Sequence, residues 1–530
     1  MAMTQTKRIP RAKNPAAVGI SQGALARMME EINAKELNLH SIMVIRHGQV
    51  AYEDFRAPYT PDDPHLLYSV SKSITSIAVG FAVEEGLVAV EDKVADLLPE
   101  LREHDKHENL EKLKVWHLLT MSAGKNISML VDRSKRQWLR DYAAGEWIYA
   151  PGEDFNYCNE NQYLLCAILH RVAGESVTDF LMPRLFEPLG IARPYWEHDG
   201  DGIETGGWGL YLRTEELAKI AMCYLYEGKD EGRQVIPAAW VRDSSARQVG
   251  TPKNGEEPDA KQGYGYCFWH NVFPGLFRMD GMFCQFAWIF PEQEACVVTT
   301  GGELDMAAVN NAFQGILPDL FEADDTEAVE VPKLPAYEPL AAAPRNPALE
   351  ARLNRRCVHF PSHMQKVSRK MGFPLSMMPV MVFFMAPDKA GGIDKVHFRF
   401  GEDGLKFSWS EGRERNTVLC GMDGRARKCK ITLGGVAFVM SCSAAWQGDE
   451  LQMRLRCVNG VCERKLSFWF GKGRVVRMLP RCEPGLHLMI DGAANAVKDQ
   501  VKHPVLGEMA ARMMRQITLL AEPLHVGYLR

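Results

Sequence analysis

The chain has 530 residues, of which 46% are hydrophobic and 24% are charged, and its formal net charge is −5. This length exceeds one ordinary domain, so two or three domains are expected. The composition is that of a globular protein, and the charge balance argues against binding to nucleic acid or to an anionic membrane surface. The oligomeric state stays open.

The start of the chain is basic, but no apolar segment of the signal-peptide type follows it, and no run of about 18 apolar residues occurs. These patterns predict a cytoplasmic protein. The 13 cysteines are scattered, and no histidine or second pair accompanies Cys457 and Cys462 as a zinc site requires. They are expected to be buried free thiols, and no metal or other cofactor is predicted.

The first part of the chain gives local structural signals. Residues 1–18 are polar and are predicted to be disordered. Residues 22–34 have the pattern of an amphipathic helix, with Ser21 as its N-cap. Residues 41–53 then have the pattern of a β-hairpin that turns at His47-Gly48.

Residues 67–81 carry the first chemical signal. Ser69 and Lys72 are three residues apart, and Ile74 and Ile77 continue a helical apolar pattern. The spacing places Ser69 at a helix start and Lys72 one turn later on the same side. A lysine can take the serine proton when desolvation or nearby positive charge lowers its pKa. The alternative is a serine that only caps the helix.

A second pair with the same spacing, Ser122 and Lys125, follows an apolar segment and contains Gly124. It is interpreted as a turn after a helix and not as a site. His117 is a candidate catalytic base, but it directly precedes two leucines. It is predicted to be a structural, hydrogen-bonded histidine.

A Pro-Gly turn at 151–152 precedes Tyr157-Cys158-Asn159, and a helix is predicted from about Asn161. Tyr157 and Asn159 would point to the same side of an extended segment. A phenol beside a lysine ammonium has a lowered pKa and can act as a base, and the amide can bond the lysine or a substrate. On this segment alone, a turn with a packed tyrosine is the simpler interpretation.

The rest of the chain divides by composition. A helix is predicted from Thr214, and three strands follow residue 263, with turns at Gly281 and at 291–294. Acidic residues and recurring prolines then predict a linker at 323–349. Beyond it, alternating apolar residues separated by turn signals predict antiparallel strands, and a short helix is expected at 506–520.

Three segments now stand in order: Ser69 to Lys72, Tyr157 to Asn159, and a strand that ends at Gly281. This order resembles the serine β-lactamase and penicillin-binding-protein superfamily. It most resembles the class C β-lactamase-like serine hydrolases, a group with esterases, D-amino-acid peptidases and 6-aminohexanoate-dimer hydrolases. The resemblance covers about residues 20–320.

The resemblance implies an α+β fold, with an antiparallel sheet flanked by helices, over residues 19–322. For residues 350–530 it implies an antiparallel, lipocalin-like β domain with a terminal helix. The resemblance implies that Ser69 is the acyl-forming nucleophile and that Lys72 and Tyr157 share the acid–base work. It implies substrate-positioning roles for four further residues: Asn159, Gly281, Met282 and Gln285. The N–H groups of Met282 and Ser69 would form the oxyanion hole.

The third motif departs from the family pattern. The family has Lys, His or Trp before x-Gly, whereas this chain has Met279-Asp280-Gly281. Methionine cannot bind the carboxylate of a β-lactam, so a neutral or differently charged ester or amide is expected as substrate. Asp280 is expected either to favour a cationic group on the substrate or simply to face solvent from the strand.

The predicted function is therefore that of a serine hydrolase and not of a true β-lactamase. The alternative is a catalytically impaired protein of the same fold that senses ligands or acts as a scaffold. A transpeptidase would require export, for which the sequence shows no signal.

Overall fold

The chain is described here from a computed structural model. The structure describes residues 8–126, 137–255, 257–322, 329–354, 356–361, 393–411, 414–433, 436–483 and 524–530, with isolated positions between 485 and 522. The described residues form two compact units, which divide between Pro335 and Ala336. This division falls inside the predicted linker.

The first unit is a mixture of helices and short strands around one sheet. Its helices are α1 Gln22–Ala34, α2 Val70–Glu84, α3 Val94–Leu97, α4 Leu101–His104, α5 Val115–Leu119, α6 Trp138–Ala143, α7 Glu160–Ala173, α8 Val177–Leu181, α9 Thr214–Leu225, α10 Ala238–Ser245 and α11 Met306–Leu320. Its strands are β1 Leu39–Arg46, β2 Gln49–Phe55, β3 His65–Leu66, β4 Lys125–Asn126, β5 Glu146–Trp147, β6 Tyr211–Leu212, β7 Lys229–Asp230, β8 Arg233–Gln234, β9 Trp269–His270, β10 Phe277–Gly281, β11 Gln285–Phe290 and β12 Ala295–Gly301.

The central sheet has six antiparallel strands in the order β2-β1-β12-β11-β10-β9. Strands β11 and β12 are buried along their whole length, which explains the uninterrupted apolar runs at 286–290 and 295–298. Helices α1 and α11 share one hydrophobic core with alternate residues of the sheet, and α9 packs against β1, β11 and β12. The predicted α+β fold is confirmed.

The local predictions for the first elements are also confirmed. Helix α1 has the predicted bounds, and the Ser21 side chain accepts a hydrogen bond from the Ala24 N–H at 3.2 Å. The β1–β2 hairpin turns at His47 and Gly48, and both residues have positive φ. A capping residue and a tight turn are short-range features, so the sequence carries them directly.

The N-terminal segment differs from the prediction of disorder over residues 8–18. Arg11 pairs with Glu215 at 2.8 Å and with Glu53 at 2.9 Å, and the Ile9 N–H donates to Glu215 at 2.6 Å. Asn14 caps a short 3-10 helix at Pro15–Val18. The buried carboxylate of Glu215 lies about two hundred residues away in sequence, so local composition could not indicate this attachment.

The second unit is an antiparallel β domain preceded by helix α12 Pro347–Leu353. Its ten strands have the order β16-β15-β14-β13-β22-β21-β20-β19-β18-β17. Their bounds are β13 Cys357–His359, β14 Ile393–Gly401, β15 Gly404–Glu411, β16 Glu414–Cys420, β17 Arg427–Leu433, β18 Val436–Gln447, β19 Glu450–Cys457, β20 Glu463–Phe470, β21 Val475–Glu483 and β22 His525–Leu529. The predicted antiparallel β domain is confirmed.

The sheet of the second unit curls into a near-barrel. The two strands at its ends, β16 and β17, meet where the Asn416 side chain donates to the Thr432 carbonyl and accepts from the Thr432 N–H, at 2.9 and 3.1 Å. Packed aromatic rings fill the interior, with Phe398 at 5.0 Å from Phe468 and 5.4 Å from Phe407. The predicted helix at 506–520 lies largely outside the described residues, and the described chain ends in strand β22.

Across the described residues, no helix combines the length and the apolar character that a membrane crossing requires.

Candidate active site

Ser69 immediately precedes helix α2, and its side chain makes no capping hydrogen bond. The interpretation of Ser69 as a plain capping residue is therefore wrong. Tyr68 before it has φ of +47°, a left-handed conformation that is uncommon for a bulky residue and that often marks functional sites. Almost all of α2 is buried, while Ser69 stays partly accessible. The hydroxyl is thus held by a rigid helix and is open to a ligand.

Lys72 is 1% exposed, and its Nζ donates to Ser69 Oγ at 2.7 Å and to the Gly207 carbonyl at 2.7 Å. Burial lowers the pKa of Lys72 to about 7, although the carboxylates of Glu160 and Asp280 act in the opposite direction. A large fraction of Lys72 is therefore neutral near pH 7. The amine can then accept the proton of Ser69.

Sequence reasoning missed Gly207. A Cβ atom at this position would lie 2.7 Å from the Asn159 carbonyl oxygen, so a side chain does not fit there. The close approach of the two backbones brings the Gly207 carbonyl to Lys72. The glycine-rich stretch 206–209 was a signal for such an approach, but local reasoning could assign it only to a bend.

Tyr157 lies over Lys72, with Nζ 4.8 Å from the ring centroid, and its hydroxyl is hydrogen-bonded to Ser69. Burial raises the pKa of Tyr157, so the expectation of a lowered pKa is wrong. The lysine charge faces the ring, and desolvation outweighs the opposing effect of the Ser69 hydrogen bond. Tyr157 is a neutral phenol that can donate or relay a proton, and it stacks on Trp269 at 5.8 Å.

Asn159 lies at the start of helix α7 and is partly buried. The hydrogen bonds of Lys72 go to Ser69 and Gly207, so the structure does not support the prediction that Asn159 positions Lys72. A contact between the Asn159 amide and a substrate stays a prediction. The backbone of Asn159 still shapes the site, because its carbonyl oxygen faces Gly207.

Gly281 ends strand β10 beside the residues that flank Ser69. A Cβ atom here would collide with the Leu67 carbonyl oxygen and crowd Val70, so only glycine permits this approach. The close contact fixes the end of β10 next to the start of α2. The pairing of the Met282 and Ser69 N–H groups as an oxyanion hole stays a prediction.

Gln285 is fully buried, and its side chain binds backbone rather than facing a ligand. Its amide donates to the carbonyls of Met282, Phe283 and Gly301 at 3.2, 3.1 and 2.8 Å, and it accepts from the Gly301 N–H at 3.2 Å. These bonds fasten the β10–β11 turn, where Phe283 and Cys284 have positive φ. The prediction that Gln285 positions the substrate is thus corrected: its side chain positions the β10–β11 turn.

The altered third motif is mostly buried, and its one partly exposed residue, Asp280, is ion-paired. Met279 is fully buried, and Asp280 is bonded by Arg278 Nε at 3.0 Å. Arg278 also pairs with Asp259, which lies in a short 3-10 helix. The prediction of a plain solvent-facing Asp280 is therefore wrong. Arg278 and Asp259 had no recognisable motif in the sequence, because their pairing is long-range.

The second Ser-x-x-Lys segment is structural, as predicted. Lys125 is fully buried and pairs with Asp105 at 2.7 Å, while the Ser122 hydroxyl bonds Thr120 at 2.8 Å. His117 is also structural, since its Nδ1 accepts from the Lys114 N–H at 2.9 Å at the start of α5.

The first unit joins a helix-flanked antiparallel sheet to a Ser–Lys–Tyr cluster at the start of a buried helix, which is the architecture of the serine β-lactamase and penicillin-binding-protein class. The family model described as "Beta-lactamase" matches residues 25–308, more than half of the chain. The chain belongs to the beta-lactamase family, as the resemblance predicted. The match ends before the second unit.

Curated relatives are distant. The chain is 27% identical over 250 residues to the 6-aminohexanoate-dimer hydrolase of Paenarthrobacter ureafaciens, an alignment that covers 43% of this chain and 62% of that protein. It is 24% identical over 189 residues to Protein flp of Staphylococcus aureus, which covers 32% of this chain and 38% of that protein. These alignments span less than two thirds of each relative.

A solved structure with the same fold is described as "Putative 6-aminohexanoate-dimer hydrolase from Bacillus anthracis". It is 19% identical, has a TM-score of 0.50, and covers 60% of this chain and 88% of that one. At this identity the likeness concerns the fold alone.

Proposed function

We propose that this protein is a serine hydrolase that cleaves a carboxylic ester or amide of a small molecule through an acyl-Ser69 intermediate. The observation that carries the proposal is the hydrogen bond of 2.7 Å between Ser69 Oγ and Lys72 Nζ, a buried amine with a pKa of about 7. A serine hydroxyl needs such a base to become nucleophilic.

In the proposed reaction, neutral Lys72 takes the Ser69 proton as Oγ attacks the substrate carbonyl carbon. The N–H groups of Ser69 and Met282 stabilise the oxyanion. The carbonyl then re-forms, the bond to the leaving group breaks, and the Tyr157 hydroxyl delivers a proton to that group while Lys72 restores the phenol. A water molecule, deprotonated by the same groups, attacks the acyl carbon. The bond to Ser69 Oγ then breaks, and the proton taken from the water passes to Oγ, which releases the acid and free Ser69.

The residues around the site support a substrate without a carboxylate at the β10 edge. Met279 is buried and uncharged, and the Arg278 guanidinium is already paired with Asp259 and Asp280. Efficient β-lactam hydrolysis is therefore not expected. The relative named 6-aminohexanoate-dimer hydrolase makes that dimer a reasonable compound to include in a substrate screen.

The altered third motif favours one alternative, an impaired protein that is acylated but does not turn over. The retention of Ser69, Lys72 and Tyr157 in contact with one another favours turnover. The two functions differ kinetically. A burst of product without a steady state would support ligand sensing or scaffolding, whereas sustained turnover would exclude it.

Intact-mass spectrometry tests the proposal directly. Wild type, Ser69→Ala and Ser122→Ala are each incubated with a fluorophosphonate, with p-nitrophenyl acetate and with a penicillin. Ser122 is the matched control, because it belongs to the second Ser-x-x-Lys segment and is buried. We expect a fluorophosphonate adduct and ester turnover in wild type and Ser122→Ala but not in Ser69→Ala. An adduct that persists in Ser69→Ala contradicts the assignment.

A further inference from the structure

Three charged side chains, two of them buried and one partly exposed, lie at the β10 edge of the site. Arg278 donates from Nε to Asp280 at 3.0 Å, and its guanidinium also pairs with Asp259. One guanidinium against two carboxylates leaves the cluster with a net charge of −1. An uncompensated charge in a partly desolvated place acts strongly on any charged group nearby.

Asp280 is the most accessible member of the cluster. Its side chain is 16% exposed, compared with 8% for Arg278 and 9% for Asp259. It directly precedes Gly281, which touches the backbone at Leu67, and its carboxylate interacts electrostatically with Lys72.

The carboxylates of Asp259 and Asp280 differ in how many of their oxygens already accept hydrogen bonds. Both oxygens of Asp259 are engaged, one by the Val272 N–H at 3.2 Å and the other by Asn310 at 3.1 Å and by Arg278. Asp280 uses only Oδ2, for Arg278, and within the described parts of the chain its Oδ1 receives no hydrogen bond. One oxygen of the Asp280 carboxylate is thus left to meet a substrate.

In the form of the enzyme that reacts, Lys72 is neutral before it takes the Ser69 proton, so it does not compensate the charge of the cluster while the substrate binds. The rings of Phe155, Tyr157 and Trp269 are partly exposed beside the site, with Phe155 5.6 Å and Tyr157 5.8 Å from Trp269. Aromatic faces attract cations and offer nothing to a carboxylate.

We propose that Asp280 makes the site selective for substrates that carry a positively charged group near the scissile ester or amide, and against those that carry a carboxylate there. This inference rests on the proposed hydrolase function and names its substrate class. It goes beyond the loss of the third-motif lysine, because it assigns a preference for cations and not merely an indifference to anions.

Three p-nitrophenyl esters with acyl groups of similar length test it: the 4-(trimethylammonio)butanoate, its uncharged carbon analogue 5,5-dimethylhexanoate, and the adipate monoester. For wild type we expect kcat/KM for the cationic ester to exceed that of the neutral ester by roughly tenfold, and the anionic ester to fall roughly tenfold below it. Added salt should compress these ratios. Asp280→Asn, which keeps the shape of the side chain, should bring the ratios to within about threefold of one.

Two variants control the result. Asp280→Glu keeps the charge and should keep the preference for the cation, which separates the loss of charge from damage to the fold. Asp243→Asn removes an equal charge from an exposed position on α10 and should leave all ratios unchanged. A cation-to-neutral ratio of one or less in wild type overturns the inference, as does a preference that survives in Asp280→Asn.

Failure of the hydrolase function would be visible separately, as wild type that turns over none of the three esters. The inference is then tested by the rate at which a trimethylammonium-bearing phosphonate and its uncharged carbon analogue modify Ser69, followed by intact mass. Faster modification by the cation supports it, and equal rates or no modification overturn it.

Discussion

The pH dependence of activity follows from the state of Lys72. Burial lowers the pKa of this lysine from 10.5 to about 7, which corresponds to about 5 kcal/mol of cost for the charged form. About half of the Lys72 side chains are then neutral at pH 7, whereas an ordinary lysine would be neutral in roughly three molecules of ten thousand. The buried site thus supplies over a thousandfold more of the reactive base.

We expect kcat/KM for a neutral ester, measured from pH 5 to pH 9, to rise with one proton's slope and to reach half of its plateau near pH 7. His65 and His117 cannot produce this inflection, because burial lowers the pKa of each to about 4. Lys72→Arg should abolish activity, since a guanidinium does not lose its proton. Tyr157→Phe should keep the inflection and lower the plateau by roughly 10²–10⁴.

A flat profile between pH 5 and pH 9, or an inflection above pH 9, would refute the assignment of Lys72 as the base.

The same pKa has a consequence for stability that can be measured independently. The unfolded chain binds more protons at Lys72 than the folded chain between pH 7 and pH 10.5, so this group's contribution to stability rises with pH in that window. In Lys72→Met this contribution should vanish, and urea titrations at several pH values would detect the change in slope.

Two further predictions concern the backbone at the β10 edge. Gly281→Ala should lower kcat at least 100-fold, because the new methyl group would push β10 away from Leu67 and displace the predicted oxyanion N–H. The circular dichroism of the variant should stay that of wild type. A wild-type kcat would show that the close approach of Gly281 to Leu67 is dispensable. Gln285→Ala should reduce the free energy of unfolding by about 1–3 kcal/mol, since buried backbone groups lose their partner, and should lower kcat more than it raises KM; a change in KM alone would restore a role in substrate binding.

Short-range patterns in the sequence were enough to predict most of the fold. Helix α1, the β1–β2 hairpin and the start of α2 are each determined by residues within one or two turns, so their patterns predicted them. The spacing of Ser69 and Lys72 was informative for the same reason, because both belong to one helix turn. The alternation of apolar residues likewise predicted the antiparallel β domain.

The features that local sequence patterns could not predict depend on long-range contacts. The Gly207 carbonyl accepts a hydrogen bond from Lys72, which is 135 positions away in sequence, and Glu215 accepts a hydrogen bond from the N-terminal segment. The pKa of Tyr157 was predicted with the wrong sign, since proximity to a lysine is a property of the sequence motif whereas desolvation depends on the whole site. Gln285 matched the family's position, but its role depends on the carbonyls that surround it.

The two Ser-x-x-Lys segments show why spacing alone does not define a base. Lys72 and Lys125 are equally buried, and burial lowers the pKa of both. Lys125, however, pairs with the Asp105 carboxylate at 2.7 Å and donates to three carbonyls, and this carboxylate opposes the lowering of its pKa. Lys72 instead donates to a hydroxyl and one carbonyl, which neutralise no charge. The partner of the ammonium therefore decides between a structural ion pair and a base, and only the lysine without a carboxylate partner has a serine hydroxyl in reach of its Nζ.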